Sequence, residues 1–453
     1  MTMFGSQWLA NAGSTYEIEQ SIRFNDNDSP YLERTPSAAG NQKTNTISCW
    51  VKRTNLGLGN SIAMFSAAGG SYGLTWYMDS SETDFSRERL TLSDGAANLW
   101  QANDYKLRDP ASWYHFVFAM DTTQGTQSNR MKVYINGALV TADTNALVQN
   151  TDYPFFDDVV NRIGSWSPSG GAAGRYMEGY MAEIHLIDGA QKAASDFGEY
   201  NSTTGQWVPI EYTGAYGDKG AYLKGQDSSA LGDDTSGNGN DFSSSGLAAN
   251  DQVSDSPTNN WCTLNSISLT STATLSDGNL TLSNTSTGST TGTLATPSSG
   301  KWYFEVKFDS QSAAVTSQSV GVVKAEEAYI TGTTGGGIYF FTDGGLRIEG
   351  SDTGGWGSAW GVGDTIGVAI DLDDDKIWFA IDNTWQASGD PSAGTNPAAS
   401  GISSEPYAAL IRNGNSSRTT GWTANFGQNA FAYTPPTDFL ALNSANLPDP
   451  AIE

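Results

Sequence analysis

Four aspartates fall within five positions of "GDTIGVAIDLDDDKIWFAIDNTW", residues 363–385: Asp371, Asp373, Asp374 and Asp375. Carboxylates at that density can hold a hard cation or move a proton. The neighbouring pattern points elsewhere. Ile366, Val368 and Ile370 lead in on one face of a strand, and Ile377, Phe379 and Ile381 lead out on one face of the next. A reversal between the two strands accounts for the acidic run as a solvated turn, with Asp371 and Asp382 near the strand ends. Two other stretches are rich in oxygen donors. One is "FNDNDSP", with Asp26 and Asp28; the other is "DDTSGNGNDF", with Asp233, Asp234, Asn238, Asn240 and Asp241. Both offer the hard oxygens that calcium takes, and both are equally the residue types that build turns. No stretch matches an EF-hand loop, so calcium is an optional structural ion here and no cofactor is required.

Nucleophilic and acid–base chemistry has little to draw on. The two histidines, His115 and His185, lie in strands among apolar neighbours, where a packed or surface imidazole is the plainer reading. No Gly-x-Ser-x-Gly elbow, His-Glu-x-x-His pair or Walker loop appears. Cys49 and Cys262 are far apart, and Cys49 shares a strand face with Ile47 and Val51, which reads as a buried free thiol. Binding has better candidates: the aromatic residues Trp76, Tyr77, Trp100, Trp166, Trp356 and Trp360 near glycine-rich loops. Each alone suits a core or an edge, but together they suit a binding face.

The elements that must position these residues are strands. The chain has 453 residues, 51 of them glycine, and only 16% are charged, a balance for many short strands joined by turns. In "WYHFVFAM", Tyr114, Phe116, Phe118 and Met120 take one face and Trp113, His115, Val117 and Ala119 the other, so both faces are buried. Asn136-Gly137 in "YINGALV" predicts a tight hairpin, and only "GAQKAASDFGEYN" looks briefly helical. "KWYFEVKFD" alternates cleanly, with Trp302, Phe304, Val306 and Phe308 on one side. The expected organisation is all-β, with two β-sandwich (jelly-roll-like) domains in tandem. An N-terminal arm, 1–20, precedes a sandwich over 21–212. A polar connector packed on the sandwiches covers 213–265, a second sandwich 266–440, and a tail 441–453. The arm, with Phe4, Trp8 and Leu9, reads as an anchor to a partner.

Net charge excludes some partners. With 49 acidic against 23 basic residues, the formal charge is −26. Phosphate backbones and anionic membrane surfaces repel such a chain, so nucleic acid is not an expected partner. No signal peptide and no apolar run long enough to span a membrane is present, so no membrane insertion is expected.

Two regions resemble known families. "TISCWVKR", "SWYHFVFAMD…RMKVYINGALV" and "MEGYMAEIHLIDGA" resemble a laminin-G-like (concanavalin-A-like) jelly roll over roughly 190 residues. "GKWYFEVKF", "GDTIGVAIDLDDDKIWFAIDNTW" and "TANFGQNAFAYTPPTDFLAL" resemble a SPRY domain over about 170 residues. The resemblance implies partner binding through loops or one face, without catalysis, and a calcium ion at the sheet rim of the first sandwich. Concanavalin-A-like sandwiches include glycosidases with alternating carboxylates on one strand. The nearest pair here, Glu178 and Glu183, lacks the intervening aspartate and at spacing five faces opposite sides of a regular strand. The domain combination, with the "FGSQW" arm, looks like structural proteins of tailed phages. That resemblance implies a tail-fibre or virion-attached adhesin, a homo-oligomer and by family habit a trimer. The arm would join other virion proteins, and the sandwiches would offer lectin-like domains to a host surface glycan or receptor. A particle-stabilising decoration protein is the alternative, and a glycan depolymerase a distant third.

Overall fold

In the computed structural model, the described residues are 16–54, 61–67, 72–78, 88–103, 105, 107–167, 173–270, 272–313, 317–327 and 337–448. Contacts divide the chain into two units, with the boundary between Asn259 and Asn260. Each is a β-sandwich, as the alternation predicts.

Among the described residues, two eight-stranded sheets build the first unit. The strand Gly179–Asp188 organises one of them, pairing with Thr44–Arg53 along one side and with Ser21–Phe24 and Ala221–Leu223 along the other. Thr44–Arg53 pairs in turn with Trp113–Asp121. Phe116, Phe118 and Met120 point into the core between the sheets, against Trp76, Leu92 and Trp100 of the facing sheet. Trp113, Val117 and Ala119 face the other way and are also buried, because Phe197, Trp207 and Tyr212 lie over them. This covering layer is why "WYHFVFAM" is apolar on both faces. The Asn136-Gly137 turn has φ of +45° and +80°, and it joins Met131–Ile135 to Ala138–Leu139 as expected. The briefly helical stretch reduces to a single 3-10 turn, Ala194–Asp196.

The central strand is not regular. Its register with Thr44–Arg53 slips between Ala182 and His185, and Glu183 has φ +51°. One extra residue at a bulge reverses the alternation beyond it. Met181 points inward before the bulge and Ile184 and Leu186 after it, while Ala182 and Ile187 lie on the outer face.

The polar segment 213–265 does not behave as a connector. Its residues to Asn259 belong to the first unit, where Ala221–Leu223, Ser243–Ser245 and Gln252–Val253 add strands to the two sheets. Polar composition misled here because these are strands of two or three residues, and the segment's few apolar side chains, Ala221, Leu223, Leu231 and Phe242 among them, reach the core from a polar background. The last of them lies antiparallel to the entering chain, with Ser21 opposite Val253 and Ile22 opposite Gln252. Nearby, Thr258 Oγ1 accepts the Ile18 N–H at 2.9 Å and donates to the Ile18 carbonyl at 3.0 Å. Asp255 meets the wholly buried Lys52 ammonium at 2.7 Å and accepts the Trp113 indole N–H at 3.1 Å. Arg23 pairs with Asp251 at 3.0 Å. The entering and leaving chains are thus clasped together.

The second unit packs a nine-stranded sheet on a six-stranded one, counted among the described residues. Trp302, Phe304, Val306 and Phe308 enter its core with Ile366, Val368, Ile370, Ile377 and Phe379. On the reverse face Glu305 accepts the Ala432 and Tyr433 N–H groups at 2.8 and 3.0 Å, seating the returning chain. The acidic run is the turn between Thr365–Asp371 and Lys376–Ile381. Asp371, wholly buried, accepts the Asp373 and Asp374 N–H groups and meets Lys301 at 2.9 Å. Asp373 accepts the Gly300 N–H, Asp374 faces Lys376, and Asp375 takes φ +56°. Both cysteines are buried free thiols. No helix among the described residues is long and apolar enough to cross a membrane.

Candidate functional site

Asp188 ends the central strand of the first unit, where three segments meet. Its Oδ1 accepts the Asn41 N–H at 2.6 Å and its Oδ2 the Lys219 N–H at 3.1 Å. Residue 40 is glycine for lack of room: a Cβ there would lie 2.9 Å from Asp188 Oδ1. Around this fixed carboxylate opens a groove of about 610 Å3, lined by residues 39–43, Asp152, Asp188, Asp218 and Lys219. That volume lies in the range of small-molecule sites.

The groove's hydrogen-bonding groups are sorted by what they already do. Asn41 Oδ1 accepts the Lys43 and Thr44 N–H groups at 3.0 and 2.9 Å, which leaves its Nδ2 donors unused among the described residues. Lys43 meets Asp152 at 3.1 Å. Lys219 Nζ and the exposed Asp218 carboxylate have no partner among the described residues. Each Asp188 oxygen, engaged by one N–H, keeps acceptor capacity, since a carboxylate offers about four lone-pair positions. The polar lining therefore offers both donors and acceptors. That arrangement suits a ligand dense in hydroxyls.

None of the sequence candidates lines this groove, but some brace it. Asn240 donates to the Asp218 and Gly220 carbonyls at 3.0 and 2.7 Å, and Asn238 to the Gly217 carbonyl at 2.7 Å. Arg34 in turn hydrogen-bonds Asn240. Asp234 accepts N–H groups from Tyr222, Ser236 and Asn240, all at 2.8 Å, and Asp241 accepts the Asp234 N–H at 2.9 Å. Asp233 is exposed. Asp26 and Asp28 form a 3-10 turn, where Asp28 accepts the Asn25 amide at 2.7 Å. Among the described residues no three His, Cys, Asp or Glu side chains gather to hold a metal ion. Of the residues expected to hold calcium, Asp234 and Asp241 spend carboxylate oxygens on backbone N–H groups.

Four of the aromatic candidates, Trp76, Trp100, Trp166 and Trp360, are buried and do not form a binding face. Trp76 and Trp100 are each 1% exposed and sit in the core. Trp76 packs edge-on against Tyr114 and tilted against Phe116. Trp166 is buried over Gly73, where a Cβ would lie 2.6 Å from its ring, with Arg175 at 4.9 Å on the ring. Trp360 is buried against Phe308, Phe340 and Trp422. Trp356 is half-buried, edge-on to Phe340. Glycine next to tryptophan suggested exposure, yet at Gly73 the missing side chain seats the ring. The Tyr77 side chain lies outside the described residues, as do Phe4, Trp8 and Leu9.

The titratable groups of the outer face are internal. His115 Nδ1 accepts the Trp207 indole N–H at 3.0 Å, so its Nε2 carries the proton toward Ser48 Oγ at 2.8 Å. Burial, with a smaller push from His185, pulls this imidazole down to about 3. Glu183 accepts the Tyr16 and Tyr222 hydroxyls at 2.9 and 2.5 Å and lies 3.4 Å from His185 Nε2. Burial pushes its carboxyl up, but these partners together outweigh burial and hold it below the usual range. Glu178 accepts the Asp26 N–H at 2.9 Å. The opposite-sides expectation for Glu178 and Glu183 assumed a regular strand, and the bulge removes that premise.

Residues 26–195 match the family model for the concanavalin A-like lectin/glucanases superfamily, less than half of the chain but most of the first sandwich. No curated protein matches. Similar solved structures include the SPRY domain of human HERC1, at 13% identity over 37% of this chain and 99% of that one, TM-score 0.31. A heptameric SAP-like pentraxin from Limulus polyphemus shares 17% identity over 39% of this chain and 80% of that one, TM-score 0.31. A protein of Bacteroides ovatus, described as a candidate carbohydrate binding protein, shares 13% over 51% of this chain and 58% of that one, TM-score 0.35.

Proposed function

We propose that this chain is a non-catalytic carbohydrate-binding protein, and that the groove around Asp188 is its ligand site. The supporting observation is one of coincidence. The sandwich that matches the concanavalin A-like lectin/glucanases superfamily carries at its rim a polar groove of suitable volume with unused donors and acceptors. The non-catalytic part rests on Glu183, whose carboxylate is 6% exposed and occupied by tyrosine hydroxyls. No calcium is needed for this reading, because the groove's own side chains supply the polar contacts.

The finer setting is an adhesin of a phage virion that contacts a host surface glycan. Its support is the sequence resemblance of the arm and of the domain combination. In that setting the N-terminal arm, through Phe4, Trp8 and Leu9, attaches to other virion proteins, and a trimer multiplies weak sites into useful avidity.

Native gel electrophoresis of the full chain through gels cast with polysaccharide tests the core claim. Migration should be retarded, with no reducing ends released from the polysaccharide. Release of reducing ends that Glu183→Gln abolishes would replace the proposal with a hydrolase. Migration unchanged by a broad polysaccharide panel would end it.

A further inference from the structure

The groove's charge and its free hydrogen-bonding groups together restrict which carbohydrates it can take. Lys43 and Asp152 neutralise each other at 3.1 Å. What remains is Asp188 and Asp218 against Lys219, a local excess of one negative charge in a chain of net charge −26. An incoming carboxylate or sulfate would meet the Asp188 carboxylate, which Asn41 and Lys219 N–H groups fix in place. Like charges held together in a groove disfavour each other, and the surrounding field opposes approach as well.

A neutral sugar meets no such barrier. A vicinal diol is a pair of groups that each donate and accept. Asp188 supplies open acceptor positions, while Asn41 Nδ2 and Lys219 Nζ supply unused donors on segments that Asp188 itself pins. One hydroxyl can donate to Asp188 while its neighbour accepts from Asn41 or Lys219. Resting on the carbohydrate-binding reading above, we infer that the groove selects uncharged sugars through a vicinal diol. Asp188 is its fixed acceptor, Asn41 and Lys219 are its donors, and anionic polysaccharides are excluded.

The same gels supply the test, with the full chain and named probes. The neutral probes are dextran, yeast mannan, galactomannan and arabinan; the anionic ones are alginate, hyaluronate and dextran sulfate. At least one neutral polysaccharide should retard the chain, and none of the anionic ones should, at 20 mM or at 500 mM NaCl. Cleaving the vicinal diols of the retarding polysaccharide with periodate, then reducing it with borohydride, should abolish retardation. Asn41→Ala and Lys219→Ala should each weaken retardation about tenfold, the loss expected for one hydrogen bond near 1.4 kcal/mol. Asp188→Asn should weaken it further. Since Asp188 also holds the loops, the two rim variants carry the test if that variant unfolds. Retardation by an anionic polysaccharide overturns the neutral-diol inference while leaving carbohydrate binding intact. Retardation by a neutral one that both rim variants leave unchanged places the site elsewhere and overturns it too. No retardation by any probe brings down the carbohydrate reading itself.

Discussion

At the scale of single residues, His115 shows how a titratable group can be locked in one state. It is 1% exposed, accepts an indole N–H and donates to a serine, and so it is neutral in the folded chain. An unfolded imidazole protonates below about 6.5, whereas the folded one resists until about 3. Between these values the unfolded chain binds a proton that the folded chain refuses, so stability falls as pH falls and is unaffected by this residue above about 6.5. Urea unfolding from pH 6 to pH 4.5 should lose about 1.4 kcal/mol per pH unit from His115. His115→Gln should flatten that slope even though it lowers stability at neutral pH. Glu183, held low, loses its contribution only at more acidic pH and leaves this window clean. Little of this was legible in the sequence. The strand context marked His115 as packed, but its partner Trp207 lies 92 positions away.

At the scale of elements, period-two alternation carried most of what could be read. It gave both faces of "WYHFVFAM" and the turn that absorbs Asp371, Asp373, Asp374 and Asp375, while the Asn136-Gly137 pair gave the hairpin. Alternation has no means of announcing a bulge, and the extra residue at Glu183 moved a carboxylate and an imidazole to the covered outer face. Alternation is equally silent on strands of two or three residues, so 213–265 read as a connector although it closes both sheets. The groove escaped notice for a related reason. Asn41, Asp188 and Lys219 come from three separated segments, and no local pattern joins them. Ending the first domain at residue 212 should therefore fail. A fragment spanning 16–259 should melt cooperatively by circular dichroism, and one spanning 16–212 should not. The shorter fragment lacks three strands and removes Asp255 from beside the buried Lys52, a loss of about 3–5 kcal/mol on its own for a broken buried pair. Cooperative melting of the shorter fragment would show that the closing strands are decorative.

At the scale of the whole molecule, charge dominates. With 49 acidic and 23 basic residues, the surface repels itself, and salt should relieve that repulsion. The Tm should rise between 20 and 500 mM NaCl, by a few degrees in order of magnitude. A fall would mean that exposed ion pairs outweigh net repulsion. Any pull along this chain would also have to pass through the clasp between its entering and leaving segments. Because Ser21 lies opposite Val253 and Ile22 opposite Gln252 in antiparallel register, the chain ends toward Tyr16 and toward Asn259 leave the sheet in the same direction. Tension applied there opens the joint as a zipper, taking first the Ile18–Thr258 hydrogen bonds and then the strand pair, instead of loading every bond at once in shear. The first sandwich would yield bond by bond under load, as a shock absorber does.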